Sequence, residues 1–342
     1  MAGNSRLRTP LCDLLGCRYP VLQAGMGGVA RSELVAAVSQ AGGYGFLGMV
    51  RESPELIGRE IDAVRERTDR GFGVNLIPAA TAPTLLAAEL EVCLERRVHS
   101  LCFFWDVDPA AVARAKAAGC LVFYQVGSVA DAIAAERAGC DAVIAQGFEG
   151  GGHVRGTVSS LVLLPQVVDA VSIPVVASGG FASGDALVAA LALGAQGVHC
   201  GTAFLATAES FAHGYHKDRV VSARSEDTLY TDAFAINWPP DSPVRVIANS
   251  VTADLDGRFL GHRPDEVPRE EIAREDDRPI YLFSTDSPLR NTRGALERLA
   301  LFAGQVAGAI ERISSAEEVI SSMVMEAESR LDRLQGGKAE AG

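Results

Sequence analysis

The sequence predicts an α/β chain built as a (β/α)8 TIM barrel, and three observations carry that prediction. The first is a repeated junction in which a helical stretch ends at glycine and a short apolar run follows. It occurs at Ala41-Gly42-Gly43, Ala118-Gly119, Ala138-Gly139 and Leu193-Gly194. Glycine just past a helix end takes the left-handed cap conformation, so each junction marks passage from helix to strand. The second is the number of apolar runs: residues 21–24, 44–47, 72–76, 100–104, 121–124, 142–145, 174–177 and 198–200 make eight strand candidates. The third is their texture. They are short and do not alternate, as strands buried on both faces of a parallel sheet require. Eight such units of roughly 20–25 residues fit one barrel with an insertion.

The intervening helices carry start signals. Ser53-Pro54 reads as an N-cap followed by proline in the first turn, with Leu56, Ile57, Ile61 and Val64 on one face. Ser128 with Asp131 opens the helix that ends near Ala138, and Ser183 opens the one that ends near Leu193. After Thr207 the repeat breaks into polar, interrupted sequence containing Trp238-Pro239-Pro240. Residues 208–286 are therefore expected to form a small, partly helical insertion domain capping the barrel mouth, while 8–207 and 287–335 form the barrel. Residues 291–312 read as a closing helix. Ser315 and Glu318 form a capping box for a C-terminal amphipathic helix whose apolar face includes Val319, Ile320, Met323, Val324, Leu331 and Leu334. That face has two destinations, its own barrel or a second copy in a homodimer.

Composition removes several function classes. The net charge of −12, with no long basic run, disfavours nucleic acid and anionic membranes as partners. No apolar run approaches the ~20 residues that a membrane span needs. The seven cysteines are scattered and form no Cys-x-x-Cys pair, which suits a reducing cytoplasm. The three lysines, Lys116, Lys217 and Lys338, do not end barrel strands, which disfavours a Schiff-base aldolase. His213 and His216 lie three apart without a carboxylate–histidine cluster; they read as a solvated helix face and not as metal ligands.

The chemistry is expected where loops leave the C-terminal ends of the strands. Strand one ends in Gly25-Met26, strand three in Asn75, and strand six in Gln146, which leads into Gly150-Gly151-Gly152 and His153. Glycines without a Cβ let backbone approach a flat ligand, and His153 beside them can exchange a proton near neutral pH. Strands seven and eight end in Ser178-Gly179-Gly180 and His199-Cys200-Gly201-Thr202. Their exposed N–H groups suit a phosphate, because the loops after these two strands commonly bind one in barrel enzymes. Trp238 is expected to pack the cap onto the barrel, with lining of the substrate pocket as the alternative. Glu149 reads as a supporting loop carboxylate.

These motifs together resemble a known family. Pro20-Val-Leu-Gln-Ala-Gly-Met-Gly27, Gly73-Val-Asn75, Ala145-Gln-Gly-x-Glu-x-Gly-Gly-His153, Ala177-Ser-Gly-Gly180, Gly197-Val-His-Cys-Gly-Thr202 and Ala303-Gly-Gln305 are similar to the nitronate monooxygenases, formerly called 2-nitropropane dioxygenases. One departure is Gly150, where alanine is usual. The resemblance implies FMN as cofactor, with contacts on Asn75, Gln146, Gly151, Gly180 and the 199–202 turn. It also implies that the Gly25-Met26 backbone runs beside the flavin ring, with Gln125 as a further contact, and that His153 is the catalytic histidine, orienting the anion or removing the α-proton. Gly152, Ser178 and Gly179 complete the expected cofactor rim. The implied reaction is oxidation of alkyl nitronates, small-molecule substrates, with O2 to a carbonyl compound and nitrite. The same scaffold also resembles NAD(P)H-dependent flavin reductases acting on enoyl-acyl-carrier proteins or quinones, and a flavin-binding protein without turnover is the remaining alternative. An inosinate-type dehydrogenase is disfavoured because the loop after strand six holds His153 and no cysteine.

Overall fold

The computed structural model describes residues 6–336; Lys338 lies outside them. Eight parallel strands close into a barrel: β1 (Val21–Gln23), β2 (Tyr44–Gly48), β3 (Gly73–Leu76), β4 (Ser100–Phe104), β5 (Leu121–Val126), β6 (Ala142–Gln146), β7 (Val175–Ser178) and β8 (Val198–Cys200). Spatial order follows chain order, and β8 returns to β1 with His199 opposite Leu22. Every strand residue except Leu121 and Gln125 is buried, which is why the runs lack polar alternation.

Two apolar layers hold the barrel. Inside it, Leu22, Tyr44, Phe46, Phe123, Ile144 and Val176 meet Leu11, Cys12 and Leu15 from the short helix Pro10–Leu15, which plugs the N-terminal end. Outside it, the larger layer joins the strands to the surrounding helices. The capped starts form as the sequence suggests: the Ser53, Ser128 and Ser183 hydroxyls accept from the amides of Leu56, Asp131 and Ala186. In the C-terminal helix Ala316–Gly336 the capping box is reciprocal. Ser315 N–H donates to Glu318 at 2.8 Å, and Glu318 N–H donates to the Ser315 hydroxyl at 3.1 Å. Its residues Ile320, Met323, Val324 and Ala327 are buried against helices Ser32–Gln40 and Gly184–Ala192. Burying each larger side chain contributes about 1.5–3 kcal/mol. Up to Ala327 the apolar face is thus taken up by the chain's own barrel, whereas Leu334, near the end of the helix, is exposed.

After β8 the chain builds two small antiparallel sheets. In the first, β9 (Thr228–Thr231) pairs with β10 (Val244–Ile247), and β10 pairs with the two-residue strand Gly152–His153. In the second, β11 (Glu271–Glu275) lies between β12 (Arg278–Tyr281) and β13 (Thr292–Gly294). The expected closing helix over 291–312 is not an α-helix. It consists of β13 and two 3-10 turns, Leu296–Arg298 and Gln305–Ala309. The physical reason is that its backbone groups bond across the molecule instead of four residues back. Ala295 N–H donates to Ile272 O, Gly304 N–H to the Thr202 hydroxyl and Gln305 N–H to Glu149 O. The apolar residues of this stretch therefore seam the cap to the barrel.

A second expectation also fails. His213 and His216 are not on a solvated face: His213 caps the helix Gly214–Ser222 by accepting from Tyr215 N–H, and His216 is fully buried with Nε2 3.0 Å from Phe302 O. That helix packs on the 3-10 turn at 305–309, so the face presented at three-residue spacing points inward.

Candidate active site

A cavity of about 620 Å³ opens at the C-terminal ends of the strands. Every site residue singled out from sequence lines it: Gly25, Met26, Asn75, Gln125, Gln146, Gly151, Gly152, His153, Ser178, Gly179, Gly180, His199, Cys200, Gly201 and Thr202. Glu149, read as a supporting residue, lies behind the wall and accepts from Ser160 N–H at 3.1 Å.

One side of the cavity is backbone. Gly179 and Gly180 adopt φ of 88° and 86°, which L-residues with a Cβ rarely take. Among the described residues, the N–H groups of Gly179, Gly180 and Gly201 donate to no protein acceptor. A Cβ placed on Gly201 would meet nothing nearer than Ala24 Cβ and Met26 Sδ, both at 3.8 Å, so open space stands before it. By contrast, a Cβ on Gly151 would collide with the Gly304 amide, so this glycine serves close packing. A Cβ on Gly25 would collide with Asn75, whose Nδ2 donates to Cys102 O at 3.0 Å.

Beneath this rim, Ser178 Oγ donates to His199 O at 3.1 Å and lies 3.2 Å from His199 Nδ1. With the hydroxyl proton spent on the carbonyl, Nδ1 carries the ring proton and Nε2 is left as an acceptor. That Nε2 has no partner, and burial holds His199 neutral by lowering its pKa to about 3. Gln146 Nε2 donates to His153 O at 3.0 Å, and its Oε1 is likewise without a partner.

The opposite side is built from side chains of separate segments. The His153 ring stacks on Trp238 with centroids 3.3 Å apart and 17° between planes. Trp105 meets both rings edge-on, at 6.1 Å from His153 and 5.4 Å from Trp238, and Phe302 lies 5.9 Å from His153. The backbone of His153 is fixed by its pairing with Val244 in β10, and Val154 N–H donates to Pro243 O at 3.0 Å. Arg245, next along β10, donates to Phe148 O at 3.0 Å and so holds the start of the glycine run. The His153 Nε2 has no partner. Burial, assisted by the charge of Arg51, lowers the His153 pKa well below 6.5, so the ring is neutral at physiological pH.

Sequence reasoning missed Arg51, Trp105 and Phe302. The first two follow β2 and β4, whose strand-end loops it left unread although the rule for the other strands covers them. Backbone conformation marks both: Arg51 and Trp105 hold φ of 58° and 81° without being glycine, as does Asn237 at 78°, next to Trp238. Such conformations concentrate at functional sites because surrounding structure must enforce them.

The comparisons agree with this geometry. A family model described as "Nitronate monooxygenase" matches residues 8–84 and 77–326. The chain belongs to the nitronate monooxygenase family. It is 34% identical to a "Probable nitronate monooxygenase" of Staphylococcus aureus strain Newman, over 81% of this chain and 91% of that protein. It is 33% identical, over 94% and 96%, to a Mycobacterium tuberculosis protein named "(3aS,4S,5R,7aS)-5-hydroxy-7a-methyl-1-oxo-octahydro-1H-indene-4-carboxyl-CoA dehydrogenase". Among solved structures, the nitroalkane oxidase from Streptomyces ansochromogenes superposes with a TM-score of 0.79 at 30% identity, covering 95% of this chain and 99% of that one. As a family member the chain is an oxidoreductase. Among the described residues no helix is long and apolar enough to cross a membrane, and no cluster of ligating side chains suits a metal ion.

Proposed function

We propose that this protein oxidises alkyl nitronates, and nitroalkanes once deprotonated, with O2 to a carbonyl compound and nitrite, using FMN. The observation that carries the reading is His153: a neutral imidazole with an unpartnered Nε2, held between indole rings in the cavity. The residues present fit the cofactor. The uncommitted amides of Gly179, Gly180 and Gly201 suit phosphate oxygens, and the orphaned His199 Nε2 and Gln146 Oε1 suit N–H or O–H donors of a bound polar ligand. FMN, when bound, supplies the electron transfer.

The chain supplies position and proton handling. His153 Nε2 takes the α-proton of a neutral nitroalkane, which a ring already protonated could not do. The Trp238 stack and the Trp105 edge restrict the ring's orientation, and Gln146 anchors its backbone. The cap strand β10 keeps this base at the rim and covers the site against water.

The dehydrogenase relative raises a second reading, a CoA thioester substrate. The charges at the mouth favour a smaller one. Arg31 is paired with Glu52 at 3.0 Å, and Arg278 is bound to Asp286 at 3.0 Å and to Glu275 at 2.5 Å, so these cations are already neutralised for a polyphosphorylated chain.

The test is anaerobic bleaching of the FMN-loaded protein by propane-2-nitronate, NADH and NADPH in separate cuvettes. Nitronate is expected to bleach it fast; rapid bleaching by a nicotinamide with none by nitronate would move the protein to the reductases. In the same series, His153→Ala should retain flavin and lose about 10²–10⁴-fold in neutral nitroalkane turnover, with less effect on preformed nitronate, which needs no base.

A further inference from the structure

The cavity places a cation where a substrate anion would need one. Arg51 follows β2 and lines the same cavity as His153. Its guanidinium donates to the main-chain oxygen of Asn237, the residue before Trp238, and Trp238 is stacked on His153. The Arg51 charge is near enough to bear on the His153 ring. The other arginines of the wall, Arg31 and Arg278, are in ion pairs with Glu52, Glu275 and Asp286. Among the described residues Arg51 has no carboxylate within ion-pair distance, although the charges of Asp286, Glu52 and Glu89 are close enough to be felt. No lysine lines the cavity.

A half-buried guanidinium with one neutral acceptor is under-satisfied: five donors are available and a single carbonyl does not cancel its charge. The loop that presents it is held at a φ of 58°, and its acceptor residue at 78°. Two left-handed, non-glycine backbones at the two ends of one hydrogen bond show that the surrounding fold fixes this arrangement. His153 cannot provide the missing countercharge for an anion, because its ring is neutral.

We propose that Arg51 is the anion-binding residue of the site and that the substrate is a small organic monoanion, its charged nitro or carboxylate-like group on the guanidinium and its reacting carbon toward His153. The planar guanidinium offers two parallel N–H bonds to two oxygens on one atom, a geometry that nitronate and carboxylate share. The other charged residues of the wall are net acidic, Arg31 and Arg278 against Glu52, Glu275, Asp276 and Asp286, so a single negative group is accommodated on Arg51 and a polyanion is not. This division of labour separates charge recognition from proton transfer. It deepens the nitronate reading and rests on it for the reaction, though not for the binding.

The test uses FMN-loaded protein and two probes of the same shape, propane-2-nitronate as substrate and isobutyrate as an unreactive carboxylate. Isobutyrate affinity is measured by calorimetry for wild type, Arg51→Met and Arg51→Lys, and steady-state kinetics are measured for nitronate. Loss of one charge-assisted contact predicts that Arg51→Met weakens isobutyrate about 10- to 100-fold. It should raise the nitronate KM in parallel while kcat changes little, and Arg51→Lys should recover part of both. Wild-type and Arg51→Met proteins that bind isobutyrate equally would overturn the proposal, as would an unchanged nitronate KM. If isobutyrate binding depends on Arg51 but nitronate is not oxidised, the anion site stands and the nitronate reading falls. Recovery with Arg51→Lys excludes misfolding as the cause.

Discussion

The two walls of the cavity are made differently. At the ends of β7 and β8 the wall is main chain: Gly179, Gly180 and Gly201 present N–H groups, and contiguous motifs supply them. Across from it the wall is side chain. His153, Trp238, Phe302 and Arg51 line it, with Trp105 packed against His153 and Trp238; they come from five segments spread over some 250 positions and meet only in the folded chain. The first wall depends on what is missing, a Cβ. The second depends on rings and charges held by tertiary packing. A backbone wall suits a constant ligand such as a phosphate tail, whereas a side-chain wall can be retuned by single substitutions without loss of that ligand.

The sharpest way to break this comparison is to put a side chain on the backbone wall. Gly201 has a φ of −98°, which any residue can adopt, and open space before it. Gly201→Val should therefore fold with little change in melting temperature yet fill the space that the reading gives to the FMN phosphate. The expected outcome is loss of bound flavin, seen as a protein purified without visible absorbance and not reconstituted by added FMN, and with it loss of all flavin-dependent activity. Normal flavin content in this variant would remove the rim from the cofactor site.

A smaller effect is expected on the side-chain wall. Trp238→Leu removes the stacked face from His153 and admits water to the ring. Burial is the main cause of the low His153 pKa, so exposure raises it toward 6.5. The acid limb of kcat/KM for a neutral nitroalkane should move up in pH, because the base is now protonated at pH values where the wild-type ring is free. The rate above pH 8 should fall about tenfold from lost orientation, with flavin content unchanged. A profile superimposable on wild type would show that the stack does not set the protonation of the base.

The same contrast explains what could be read in the sequence. All eight barrel strands were legible, because a strand buried on both faces and a glycine-capped helix are local patterns, and the glycine rim was legible because it is a run of adjacent residues. His153, which lies on the cavity wall, was singled out through its place after three glycines. Trp105, Phe302 and Arg51 were not, since nothing local tells Arg51 that its acceptor lies 186 positions away at Asn237. The stretch 291–312 failed for the same reason: its apolar spacing imitates a helix, but its amide bonds go to Ile272, Thr202 and Glu149. His216 was misplaced because its partner, Phe302 O, belongs to that unread stretch.

His216 also gives the smallest and cleanest prediction, one that bears on how the cap is held. It is fully buried, and desolvation lowers its pKa to about 4 from an ordinary 6.5. In the unfolded chain it binds a proton below pH 6.5; in the folded chain it does not until about pH 4. Between those values unfolding takes up a proton, so stability is present in full above pH 6.5 and declines as the pH falls, by up to about 1.4 kcal/mol per pH unit for this one ring. His199 adds a decline of the same sign over a window that extends to about pH 3. The two are separable because they sit on opposite sides of the comparison, His199 under the glycine rim and His216 under the cap seam. His216→Gln keeps an amide donor near Phe302 O and removes the titration. Its unfolding free energy, from urea denaturation, should change less between pH 6.5 and 5 than that of wild type, by about 1–2 kcal/mol, while the part due to His199 persists. Equal acid sensitivity in the two proteins would mean that the seam opens and lets His216 titrate before the barrel unfolds, and the cap would then be a separately melting unit instead of part of the barrel's cooperative core.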